Sequence, residues 1–154
     1  MYFECHARLR TFMCVVGVAV IAERLNVGHP NREARESFKL RPENLQNIKN
    51  AGDACASVHK IDPALFPKVA EGTLPRDDTN DNYLFCLTEK VKVIGDDGHL
   101  NIEKILSLIG EHPLLEKFKE ALEKCNEVSK ENPVQTLMGI YRCYFDTSPI
   151  LFAF

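Results

Sequence analysis

Cysteine and histidine are the side chains of this sequence best suited to hold a metal, form a covalent link or act on a substrate, and their spacing decides among those chemistries. Cysteines stand at positions 5, 14, 55, 86, 125 and 143. A tetrahedral zinc site draws its thiolates and imidazoles from close pairs such as C-x-x-C or H-x-x-x-H. The last four cysteines are instead separated by 30, 38 and 17 residues, a spacing that suits disulfides better than zinc. His59, His99 and His112 are scattered. Without an H-E-x-x-H run or a serine or cysteine nucleophile motif beside them, they read as solvated surface residues rather than catalytic ones. Asp96-Asp97-Gly98 looks like part of a calcium loop, but with Gly98 in the sixth place the first, third and twelfth places hold Val93, Gly95 and Lys104. Those residues cannot supply an oxygen cage, so the segment reads as a turn. There is no G-x-G-x-x-G, no P-loop and no N-x-S/T sequon. The expectation is no catalytic residue, no metal and no cofactor.

The cysteine count depends on what the first residues are. Arg8 and Arg10 precede an apolar run over 12–22 (FMCVVGVAVIA), which ends in small side chains at Val20 and Ala22. That pattern predicts a signal peptide over 1–22 with cleavage near Ala22. The run is well short of the roughly 20 residues that span a bilayer, so membrane insertion is not expected. Two alternatives stand beside it: Glu4 and the long leading segment would also suit a buried N-terminal helix, and Met13 as the true start would leave no basic region. Removal of the leader takes Cys5 and Cys14 away and leaves an even four in a chain bound for an oxidising compartment. Two disulfides follow, and spacing alone allows three connectivities. Secretion is the expected localisation. With 154 residues, 45% hydrophobic and 27% charged, net charge −3 and pI near 6.0, the chain has the balance of one globular domain and lacks the basic footprint that nucleic acid or anionic membrane demands.

The elements that must position these cysteines are helical throughout. Over Pro42–His59, Leu45, Ile48, Gly52, Cys55 and Val58 share one face behind a proline in the first turn. Asp62-Pro63 reads as a cap and first position, with a stop at Gly72. Residues 75–81 read as a loop. Leu84, Leu87, Val91 and Ile94 line one face of a helix over 83–94 before the Gly95–Gly98 turn. Asn101 caps a helix carrying Ile102, Ile105, Leu106 and Ile109 that ends at Gly110. Residues 113–128 carry Leu114, Leu115, Phe118, Ala121, Leu122 and Cys125. Asn132-Pro133 opens the last helix, with Val134, Leu137, Met138, Tyr141 and Phe145. The fold class is all-α: a compact, disulfide-linked bundle of about six short helices. Residues 23–41 are polar and aperiodic and read as a mobile N-terminal arm, with the helical domain over 42–154.

Several runs together carry a likeness: Cys55, Asp62-Pro63-Ala64-Leu65, Gly72, Leu74-Pro75-Arg76-Asp77-Asp78, Tyr83-Leu84-Phe85-Cys86-Leu87-Thr88-Glu89-Lys90, Asp96-Asp97-Gly98-His99-Leu100-Asn101 and Ile105-Leu106. From about Pro42 to Phe145 the chain resembles the insect pheromone and general odorant-binding family. That family usually has six cysteines, the second four residues before the third and the fifth nine before the sixth. Those places hold Asn82 and Val134 here. The two missing cysteines pair with each other in the family, so the pattern matches its four-cysteine, minus-C subgroup. The resemblance implies the pairs Cys55–Cys86 and Cys125–Cys143. It also implies a bundle built around an apolar cavity, looser for want of the third bridge.

Taken by periodicity alone, the apolar stripes read as solid core. The resemblance turns them into a pocket for a small hydrophobic ligand such as an odorant, pheromone or fatty acid. Its candidate lining is Leu84, Leu87, Val91, Ile105, Ile109, Leu114, Phe118, Leu122, Leu137, Met138, Tyr141 and Phe152. Tyr83, Tyr141 and Tyr144 are candidates to offer a hydroxyl to the ligand. The apolar tail 148–154 (SPILFAF) must be buried somewhere, over the pocket as a lid or against the last helix. A membrane receptor or a homodimer partner completes the expected partners, and nucleic acid is not among them. The competing class is a secreted helical signalling or interaction protein without a pocket, told apart by whether its apolar residues surround a void or form an exposed patch. A small disulfide-bonded lipase ranks last, since no histidine and carboxylate set appears.

Overall fold

A computed structural model describes residues 36–148 and 150–153, with the side chains of residues 152 and 153 left aside. The expected signal peptide over 1–22, and residues 23–35 of the expected arm, lie outside the described residues. Six helices form the body: α1 (Pro42–His59), α2 (Phe66–Glu71), α3 (Asp78–Lys90), α4 (Ile102–Leu108), α5 (Leu115–Cys125) and α6 (Pro133–Thr147). Two short strands flank them, β1 (Glu36–Lys39) and β2 (Ile150–Ala153).

Local chemistry explains most of the helix ends. Pro42 sits in the first turn of α1, where its missing N–H costs nothing. Asp62, Asp77, Asn101 and Asn132 each stand in extended backbone and accept an N–H from the first turn that follows, at 2.8–3.0 Å. Gly72 closes α2 in the left-handed region at φ 69°. The expected loop over 75–81 is shorter than its composition suggests. Asp77 caps α3 at that point, and Asp78 and Asp81 in the first turn favour the positive end of the helix dipole. At its other end α3 stops at Lys90, because the chain reverses through the Gly95–Gly98 turn and Ile94 bridges Leu100. Helix α4 likewise ends at Leu108, before Gly110, since Ile109 is extended and pairs with Leu40.

The Gly95–Gly98 turn is held by its own side chain: Asp97 Oδ1 accepts the His99 backbone N–H at 3.0 Å. That bond, above all, holds the Asp97 carboxyl below the usual carboxylate range. Gly98 has φ 84°, and a Cβ there would overlap the backbone carbonyl oxygen of Pro133 at the start of α6. Gly98→Ala therefore combines left-handed strain with a clash against backbone that cannot rotate away. It is expected to lower stability by about 2–4 kcal/mol, read as a shift of the urea midpoint, and an unchanged midpoint would show that α6 yields there without cost.

Packing places α1 against α3, α3 against α6, and α5 against α6. Disulfides staple two of those pairs: Cys55–Cys86 joins α1 to α3, and Cys125–Cys143 joins the end of α5 to α6, with Cα separations of 5.9 and 5.5 Å. These are the pairs the resemblance implies. The strand pair departs from the reading of 23–41 as a mobile arm, since its residues 36–39 are held in a strand. Residues 36–39 run parallel to 150–153 in the register Glu36↔Ile150 to Lys39↔Ala153. Phe38 is buried against the edges of the Phe118 ring at 4.8 Å and the His112 ring at 4.5 Å. A single phenylalanine in a polar segment has no period to reveal it, yet full burial of an aromatic ring contributes about 1.5–3 kcal/mol, enough to dock the segment that carries it.

Candidate functional site: an apolar cavity among six helices

Each of the six helices contributes at least one side chain to a common cavity of about 170 Å³. Helix α3 presents Leu84, Leu87 and Thr88, and its C-cap residue Val91 continues the stripe, at spacings of three, four and seven residues from the first. Helix α6 presents Leu137, Ile140, Tyr141, Tyr144 and Phe145 along the same kind of stripe. Ile48 enters from α1, Val69 and Ala70 from α2, Ile105 and Leu108 from α4, and Leu122 from α5. Leu40, Val93 and Leu100 close the remaining gaps from the connecting segments.

The wall is almost wholly apolar, and its hydroxyl protons are engaged. Thr88 Oγ1 donates to the Leu84 carbonyl at 2.9 Å, Tyr141 Oη to that of Val69 at 2.8 Å, and Tyr144 Oη to that of Ile150 at 2.7 Å. These bonds satisfy polar groups that would otherwise be costly to bury. They also commit the Tyr141 and Tyr144 protons to backbone, so either would have to break that bond to donate to a ligand, while each hydroxyl oxygen can still accept. Tyr83, the third candidate, is buried away from the cavity, its hydroxyl beside Gly52, and burial followed by the nearby Asp53 charge raises its pKa. The wall therefore offers shape and apolar surface rather than free hydroxyl donors.

Of the expected lining residues, Leu84, Leu87, Val91, Ile105, Leu122, Leu137 and Tyr141 stand in the cavity wall. Ile109, Leu114, Phe118 and Met138 do not. Phe118 is buried between Phe38 and Tyr144, Ile109 is buried in the extended stretch paired with Leu40, Met138 is buried in α6, and Leu114 caps α5 half-buried. A helix of a globular domain buries an apolar arc of about 100° or more, so part of each stripe faces the cavity and part faces packed neighbours. Phe152 pairs with Phe38 through its backbone, and its side chain lies outside the description. Ile140, Tyr144 and Phe145 were within reach of periodicity, being three, seven and eight residues beyond Leu137. Leu40, Val93 and Leu100 were not, since they lie between helices.

Among the described residues no group of three or more His, Cys, Asp or Glu is placed to hold a metal ion, and no helix is long and apolar enough to cross a membrane.

Comparison with known proteins agrees with this geometry. The model of the PBP/GOBP family matches residues 37–147. Odorant-binding protein 10 of Aedes aegypti is 32% identical over 62 residues, covering 40% of this chain and 44% of its own length. General odorant-binding protein 56a of Drosophila melanogaster is 40% identical over 68 residues, covering 42% and 45%. The chain thus aligns with under half the length of these curated relatives. The crystal structure of the Locusta migratoria odorant binding protein lmigOBP1 superposes with a TM-score of 0.56 at 23% identity, over 70% of this chain and 84% of that one, a likeness of fold.

Proposed function

From the premise that this chain belongs to the PBP/GOBP family, we propose that it carries small hydrophobic molecules in the cavity its six helices surround. One observation carries the reading: stripes that periodicity assigns to a solid core converge on a void with an apolar wall. Burial of ligand area at about 25 cal/mol per Å² supplies the affinity, and no reacting group is called for. The chain is a carrier in this reading, not an enzyme. Its odorant-binding-like domain spans 42–154 behind a cleaved leader, it is secreted, and with two disulfides among Cys55, Cys86, Cys125 and Cys143 it falls in the four-cysteine subgroup. Odorants, pheromones and fatty acids are the ligands proposed. The interaction-protein alternative needs an exposed apolar patch, and among the described residues Val58 is the large hydrophobic side chain left exposed. An isolated valine is ordinary surface.

Filling the void tests the proposal. Ala70 lines the cavity and is 5% exposed. In a close-packed interior, Ala70→Phe would overpack and cost about 1–3 kcal/mol. Here the ring has space to enter, so the expected result is a change in stability below about 1 kcal/mol together with at least tenfold weaker binding of a fluorescent apolar probe. Saturable probe binding by the parent chain that Ala70→Phe leaves unchanged would remove the cavity as the binding site.

A further inference from the structure

The cavity wall commits its hydroxyl protons to backbone, so the polar end of a ligand finds no hydroxyl donor inside and has to reach an opening. A second pocket adjoins the cavity and shares Ile48, Val91 and Leu108 with it. Beyond those shared side chains its character changes: Lys90, Lys92 and Lys104 stand around it, with Asn44 and Asn47. No carboxylate lines it, and none of the three lysines forms an ion pair among the described residues, whereas Arg76 and Lys119 do, with Asp81 and Glu123. Three lysines thus line one pocket beside the cavity, in a chain whose formal net charge is −3.

We infer that this protein takes aliphatic carboxylates, with the hydrocarbon chain in the cavity and the carboxylate at the Lys90, Lys92 and Lys104 mouth. The inference rests on the carrier reading above. A carboxylate drawn fully into the apolar cavity would lose its hydration without compensation. Held at the mouth it keeps part of its water, meets three opposite charges, and leaves only methylene groups to cross between Ile48, Val91 and Leu108. Exposed lysines interact weakly one by one, so the preference for an acid over the matching alcohol is expected to be about five- to tenfold at low ionic strength and to shrink as salt screens the mouth.

Lys92 makes the test separable from folding. It holds φ 61° just past α3, where the Lys92 N–H bonds the Glu89 carbonyl and the Val93 N–H bonds that of Thr88. Glycine suits that left-handed position better than lysine, so Lys92→Gly removes a charge without removing backbone support. Dodecanoate and dodecanol are titrated by calorimetry into the full chain, into Lys92→Gly and into the triple variant Lys90→Gln, Lys92→Gln, Lys104→Gln. The expected result is a five- to tenfold preference for dodecanoate in the parent, a lower ratio in Lys92→Gly with a thermal midpoint no lower than the parent's, and a ratio near one in the triple variant. Equal affinities in the parent, or a preference that survives the triple substitution, would overturn the headgroup site while dodecanol binding still supports the carrier reading. If neither compound binds, both readings fall.

Discussion

Replacement of Cys55 and Cys86 by alanine is expected to lower the stability of this protein by about 4 kcal/mol, and replacement of Cys125 and Cys143 by about 3 kcal/mol. The estimates follow from chain entropy, since the bridges close loops with sequence separations of 31 and 18 residues and the longer loop restricts the unfolded chain more. Cys55 and Cys125 are also fully buried, so truncation to alanine adds a small packing loss. Together the two bridges contribute about 7 kcal/mol, comparable with the whole stability of a small domain. Reduction of both is therefore expected to unfold the chain rather than loosen it. Far-ultraviolet circular dichroism with urea titration of each pair variant, and of the reduced parent, measures the losses. A reduced protein that keeps full helix content and its urea midpoint would show that apolar packing alone holds the bundle.

The second large effect is expected from removing residues 149–154. Ile150 is fully buried, and its carbonyl accepts both Tyr144 Oη at 2.7 Å and Ser148 Oγ at 3.0 Å. Its strand also covers β1, which carries the buried Phe38. Deletion removes the backbone partner of β1, forfeits about 2–3 kcal/mol of isoleucine burial, and leaves the Tyr144 hydroxyl without its acceptor at a further 1–3 kcal/mol. A total loss of about 4 kcal/mol is expected. Among the described side chains none of the tail lines the cavity, but Tyr144 does. The tail braces that wall from behind, so its removal is expected to weaken probe binding and to speed dissociation in stopped-flow measurements. Ile150→Ala is the milder companion and should reproduce a loss of about 2–4 kcal/mol. Tighter binding after truncation would mean that the tail fills the cavity, and unchanged stability would mean that Ile150 and the strand pair contribute nothing.

The helical plan of this protein was written in local chemistry that needs no distant partner. Asp62, Asn101 and Asn132 cap helices because a short side-chain acceptor in extended backbone reaches an N–H two or three residues on, and Gly72 ends one because it alone enters the left-handed region without a Cβ clash. The stripes on α3 and α6 follow from 3.6 residues per turn. The even set of four later cysteines was equally legible, although their pairing came from a resemblance and not from spacing. Other features required the assembled molecule. The pairing of 36–39 with 150–153 joins segments more than a hundred positions apart, and each is too short to carry a signal of its own. Leu40, Val93, Leu100 and Leu108 meet at the cavity or its mouth from helix ends and connections, where no period applies. Above all, an apolar stripe states only that a face is buried. Whether six such faces meet on atoms or on a void depends on the distances and crossing angles among the helices, which every side-chain volume in the bundle sets jointly.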